Sequence, residues 1–177
     1  DHLRYGDLFD PGFGVALEAS VMLFEPGKKD SLSAGIYASL QIDTYEGSTV
    51  SEGAAFIDPD DLDMAAAFVG VVVTTDLGGG GYGQGHLGAG IVRYDTVNAE
   101  VSLNAGGSEV QELFEESRRF AAEMRYRLNF RLGPLALVGG LGMRVMGGLD
   151  EGESALGDLL RTHAFWTFDA DLGLQLG

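Results

Sequence analysis

The chain has 177 residues, 27 Asp and Glu against 11 Lys and Arg, a formal net charge of -16, 28 Gly and no Cys. At 45% hydrophobic residues it is too apolar for an acidic disordered tail, and its length suits one domain spanning residues 1–177. The absence of Cys excludes a disulfide framework, a thiolate metal site and a Cys nucleophile, and the acid excess argues against a broad electrostatic grip on DNA, RNA or anionic headgroups.

Alternation with a period of two runs along most of the chain. Leu3 to Phe9 is a short, weakly patterned strand candidate, joined to the next by the turn sequence Asp10-Pro11-Gly12. From Phe13 to Phe24, one face carries Phe13, Val15, Leu17, Ala19, Val21 and Leu23, the other Gly14, Ala16, Glu18, Ser20, Met22 and Phe24. Leu32 to Tyr45 sets Leu32, Ile36, Leu40 and Ile42 against Ser33, Tyr37, Ser39, Gln41 and Asp43. Met64 to Thr75 is apolar on both faces, and Gly83 to Asn98 is rich in Gly and loses its phase near Arg93.

Glu109 to Ser117 places Val110, Leu113, Phe114 and Ser117 at helical spacing, which fits a short capping helix or the upper extension of a strand. The clearest strand is Phe120 to Leu132, where Phe120, Met124, Tyr126, Leu128 and Phe130 alternate with Glu123, Arg125, Arg127, Asn129 and Arg131. Leu135 to Val145 opposes Leu135, Leu137, Leu141 and Met143 to Arg144 and small residues, and Ala164 to Leu176 opposes Trp166, Phe168, Leu172 and Leu174 to Asp169 and Asp171. Leu132 to Leu149 contains Pro134, six Gly and Arg144, so it is a poor spanning helix. Short connections alternate with long ones, as in an antiparallel meander. With Leu3–Phe9 counted, this pattern predicts an all-β, closed, up-and-down barrel of eight strands with both termini at the short-turn end.

Two barrels share this period, a soluble one with an apolar interior and a membrane one turned inside out. Turned outward, the apolar faces leave Glu18, Asp43, Glu123, Asp169 and Asp171 to share a lumen with Arg125, Arg127, Arg131 and Arg144. Five acids against four guanidiniums is near the balance that buried charge requires. Phe120 and Phe130 bracket ten residues of one face, roughly 25 Å of height in a tilted strand, with Phe13, Trp166 and Phe168 completing aromatic girdles. The long connections Glu46–Asp61, Ala99–Phe114 and Leu149–Leu160 hold 5, 3 and 4 acids and no Lys or Arg, so most of the net charge belongs to them.

These features resemble the small outer-membrane β-barrels of Gram-negative bacteria, the family of the outer-membrane protein A transmembrane domain, over nearly the whole chain. The resemblance implies a membrane-spanning, porin-like, non-enzymatic protein in the bacterial outer membrane. It also implies short periplasmic turns, acidic extracellular loops, and surroundings of outer-membrane lipid and lipopolysaccharide. The loops' contact is left open between a cation, a host surface and a protein partner, and the acid excess leaves no nucleic acid among the partners. Such barrels end in an aromatic residue that the assembly machinery reads. This chain ends Leu174-Gln175-Leu176-Gly177, which leaves a clipped terminus or further strands open.

Motifs for other chemistry are weak. Gly83-Gln84-Gly85-His86-Leu87-Gly88 matches the dinucleotide fingerprint literally, but the alternation continues where a helix should follow. Asp58, Asp60, Asp61 and Asp63 are dense enough to suggest a hard cation, without the spacing of a calcium loop, and Asp150, Glu151 and Glu153 read as a loop tip. His163 with Ser154 or Asp169 is a faint catalytic candidate, and no cofactor is expected. The leading expectation is a barrel plugged by its own charges and acting in structure or surface interaction. The alternatives are a narrow solute pore, a soluble ligand-binding barrel, and a subunit of a larger surface assembly.

Overall fold

The computed structural model describes residues 4–24, 32–52, 55–103, 106–151 and 163–176. The fold is all-β and antiparallel, in two sheets. Seven strands form the larger one: β1 (Phe13–Phe24), β2 (Leu32–Tyr45), β5 (Leu62–Gly78), β6 (Gly81–Tyr94), β9 (Ser117–Leu132), β10 (Leu135–Met146) and β12 (Phe165–Leu176), in the order β1-β2-β5-β6-β9-β10-β12. This sheet curls into a half-barrel, because side chains on strands four places apart meet: Arg127 of β9 reaches Glu18 of β1, and Arg144 of β10 reaches Asp43 of β2. Alternation sets the faces. Phe13, Val15, Leu17, Ile36, Leu40, Phe120 and Leu172 point out and are exposed, whereas Tyr37, Asp43, Glu123, Arg125 and Arg144 point in and are buried.

Two connections are tight. Gly79-Gly80 joins β5 to β6, and Gly78, Gly79 and Gly80 all have positive φ, the left-handed region that only Gly enters without strain. Gly133-Pro134 joins β9 to β10, with Gly133 at φ 73°.

The long connections fold where the sequence reading expects solvated loops. They form a second sheet of five short strands, β3 (Val50–Glu52), β4 (Ala55–Pro59), β7 (Val97–Leu103), β8 (Ser108–Glu115) and β11 (Asp150–Glu151), in the order β11-β8-β7-β4-β3. The helical spacing at Glu109–Ser117 is overruled: β8 pairs with β7, and its Leu113 and Phe114 are fully buried. Ile57, Val97, Leu113, Phe114 and Leu149 of the cap form one apolar cluster with Met64, Phe68, Val92, Tyr94 and Met146 from the inner face of the half-barrel. Each such buried side chain contributes about 1.5–3 kcal/mol. The apolar second face of β5 thus belongs to this core, and the upper interior is greasy rather than charged.

The expected strand at Leu3–Phe9 is also corrected. Tyr5–Leu8 is a single helical turn, α1, with the backbone N–H of Arg4 donating to Asp7 Oδ2 at 2.8 Å. Coiling puts Tyr5 and Leu8 on one side, Tyr5 against the rings of Phe165 and Phe114 at 4.6 and 6.0 Å and Leu8 buried in the cap core. An extended segment would send alternate residues to opposite faces. Ser48 donates its backbone N–H to Leu8 O at 2.8 Å, so the N-terminal segment lies at the long-connection end rather than the short-turn end. No helix among the described residues is long and apolar enough to cross a membrane, which says nothing of strands.

Candidate functional site

Beneath the apolar core the inner face carries ionised groups. β9 supplies Glu123, Arg125 and Arg127, which share one face because strand side chains repeat every second residue. Arg125 Nη2 donates to Glu123 Oε1 at 2.7 Å and lies 3.4 Å from Glu18 Oε2 of β1. Arg127 joins both edge strands, with Nη1 at 2.9 Å from Glu18 and Nε at 2.6 Å from Asp171 of β12. Tyr37 of β2 donates its hydroxyl to Glu123 Oε1 at 2.7 Å, and Ser39 accepts from Arg125 Nη2 at 3.3 Å. A second group sits nearer the cap. Arg144 Nη1 donates to Asp43 Oδ2 at 2.7 Å, its Nε is 3.6 Å from Asp169 Oδ1, and Gln41 donates to Asp43 Oδ1 at 2.9 Å.

Glycines make the room. Gly140 of β10 pairs with Arg127 on one side and Asp171 on the other, and Gly142 likewise lies between Arg125 and Asp169. The ion pair closes over the bare glycine. A Cβ at Gly140 would stand 2.7 Å from Arg127 Cγ and collide with the Asp171 carboxylate. Gly140→Val is therefore expected to destabilise the protein by about 1–3 kcal/mol, the usual cost of overpacking. Urea unfolding followed by the fluorescence of Trp166, the single tryptophan, measures it, and an unchanged midpoint would remove glycine's spacing role.

Of the nine lumen candidates read from sequence, Glu18, Asp43, Glu123, Arg125, Arg127, Arg144, Asp169 and Asp171 meet in these two groups. Arg131 does not: it is exposed, no carboxylate among the described residues reaches it, and its guanidinium lies 5.3 Å from the centroid of the Tyr82 ring. The ion-paired interior is thus five carboxylates against three guanidiniums.

Sequence reading placed Tyr37 on the polar face of its strand but missed His86 and Gln84 as members of this interior. His86 is 2% exposed, with Nδ1 at 3.4 Å from Glu18 Oε2 and its ring 4.9 Å from that of Tyr37. The signal was present in the even positions Tyr82, Gln84 and His86, but Gly at 83 and 85 hid the apolar partner face.

The aromatic candidates all lie on the outer face: Phe13, Phe120, Phe130, Trp166 and Phe168 are 55–86% exposed. Phe120 and Phe168 lie towards the cap, and Phe130, opposite Leu137 and Gly81, towards the short turns. The four acidic candidates for a cation are dispersed. Asp58 accepts from the Thr49 hydroxyl at 2.5 Å, Asp61 from the Gly47 N–H at 3.0 Å, and Asp63 from the Thr44 hydroxyl at 2.6 Å, while Asp60 donates its backbone N–H to Asn98 O. No group of three His, Asp or Glu with metal-holding geometry occurs among the described residues. Asp150 and Glu151 form β11, Glu153 and Ser154 lie outside the described residues, and His163 is exposed while Asp169 lies on the inner face of the half-barrel. The dinucleotide-like glycines continue as strand β6.

No protein-family model, curated protein or solved structure matches this chain. The chemistry of the two faces is therefore the basis for a functional reading.

Proposed function

We propose that the chain is a membrane-spanning β-barrel domain of the bacterial outer membrane, non-enzymatic, with a lumen plugged by its own ion pairs and a folded acidic cap outside. One observation carries the reading. Between the level of Ile91 and Phe120 and the short turns, the outer face of all seven strands holds apolar and small residues, with Thr75 and Tyr126 carrying its only hydroxyls. Among the described residues of these strands, outward charges occur only above that level, at Asp63, Arg93 and Arg118, and Arg93 is paired there with Glu116 at 2.9 Å and Asp95 at 3.2 Å. In water, so continuous an apolar surface far exceeds the few hundred Å² that soluble monomers expose. In hydrocarbon it is the stable arrangement.

Lipid also demands closure, since each unpaired backbone group there costs several kcal/mol. β1 and β12 are the two edges, and both run from the cap towards the short turns. One further strand running the opposite way between them gives eight antiparallel strands, whereas direct pairing of the edges would be parallel. The Glu18–Arg127–Asp171 bridge already spans this seam from within.

The test is reconstitution. The protein is expected to float with phospholipid vesicles, resist carbonate extraction and migrate differently on gels when heated. A monodisperse, detergent-free monomer in buffer would overturn the membrane reading. In planar bilayers the plug predicts no sustained single-channel steps; steady conductance would favour the narrow pore.

A further inference from the structure

Below the ion pairs, the short-turn end of the half-barrel opens into a cavity of about 480 Å³, within the size range of small-molecule sites. Its lining is unusual for this chain. Although the protein carries 27 acids, none among the described residues lines the cavity, and Arg131 is the only charged group among the described lining residues. Two in-register rows build it: Ser33, Thr74 and Gln84 on β2, β5 and β6, and Arg131, Ala136 and Gln175 on β9, β10 and β12. Pairing on neighbouring strands aims these side chains at one space.

The hydrogen bonds leave donors over. The Tyr82 hydroxyl donates to Gln175 Oε1 at 3.2 Å, which fixes that amide and turns its N–H groups to the cavity. Gln84 Nε2 donates to the Thr74 hydroxyl at 3.5 Å and accepts from Asn129 through its oxygen, so the Thr74 proton is free to donate, as is that of Ser33. The Arg131 guanidinium is held over the face of Tyr82, which orients its planar fork without neutralising it.

We infer that this vestibule is a binding site for a small anionic polyol, a sugar-sized solute with a phosphate or carboxylate at one end. The guanidinium takes the anion in a bidentate contact, and the Gln175, Thr74 and Ser33 donors take hydroxyl oxygens. Met22, Pro134 and Leu135 supply the apolar wall for the carbon frame. The Arg127–Glu18 and Arg127–Asp171 pairs lie further in, so the site is a dead end and not a conduction path.

The inference does not depend on what covers the outer face, so it is tested on the full chain in detergent micelles at low salt by isothermal titration calorimetry. The probes are glucose 6-phosphate, glucose and inorganic phosphate. Glucose 6-phosphate is expected to bind saturably, with glucose and inorganic phosphate each at least about tenfold weaker, because each lacks one half of the contacts. Arg131→Gln should weaken glucose 6-phosphate by about tenfold or more, and Gln175→Leu by a smaller factor, with the unfolding midpoint of both variants unchanged. No saturable heat, equal affinity for glucose, or an Arg131→Gln variant that binds as the parent does would each overturn the site. Loss of membrane insertion would leave it standing.

Discussion

Arg144→Met is expected to lower stability by about 3–5 kcal/mol, the cost of stranding buried charge. Arg144 is 2% exposed and holds Asp43, itself 6% exposed, at 2.7 Å, with Asp169 at 3.6 Å. Methionine fills much of the volume, so the loss is electrostatic rather than a cavity. Adding Asp43→Asn should recover a large part of it, because a neutral amide costs far less to bury than an unpaired carboxylate and Gln41 still offers a partner. Arg131→Met is the control. Exposed and without a carboxylate partner among the described residues, Arg131 should change stability by no more than about 0.5 kcal/mol. Urea unfolding of vesicle-inserted protein, read by Trp166 fluorescence, measures all three variants. Equal effects at positions 144 and 131 would show that the inner ion pairs do not hold the half-barrel together.

Leu87→Arg is expected to cost about 2–4 kcal/mol in vesicles, the penalty for a cation near the midplane of a lipid-facing strand. Leu87 lies mid-strand on β6, opposite Val71 and Met124, and is 60% exposed. In water an exposed Leu→Arg change away from any special contact moves stability by only about 0.5 kcal/mol, so the substitution reports on the solvent and not on the fold. Val110→Arg provides the matched comparison: Val110 is 70% exposed on cap strand β8, above the charged rim, and should tolerate the charge. If the two substitutions prove equally silent, the apolar band does not face hydrocarbon.

Arg144→Met and Leu87→Arg probe opposite faces of the same sheet, and the two faces were the legible part of the sequence. In Phe120–Leu132, the step from Glu123 to Arg125 to Arg127 is local: a pleated strand sends alternate residues to opposite sides whatever lies beside it. The bounds of β1 and β2 and the inward facing of all nine charged candidates follow from that alone, whereas the ion pairing of eight of them does not. Where Gly replaced the apolar partner, as on β6, the alternation lost contrast and His86 was overlooked. At Glu109–Ser117, Leu113 and Phe114 suited a helix as well as a strand, and only the neighbouring β7 decides between them.

By itself, then, the amino-acid order determined which side of β1, β2, β9, β10 and β12 is greasy and which carries the charge, and that the connections alternate in length. The tertiary structure decided that the long connections pair into a sheet of 2- to 8-residue strands, that α1 folds onto their core, that the upper interior is apolar, and that Arg131 stands apart at the mouth. The physical reason is range. Facing is a property of one strand's backbone geometry, whereas short strands, shared cores and the partner of a long side chain depend on residues brought together from distant parts of the chain.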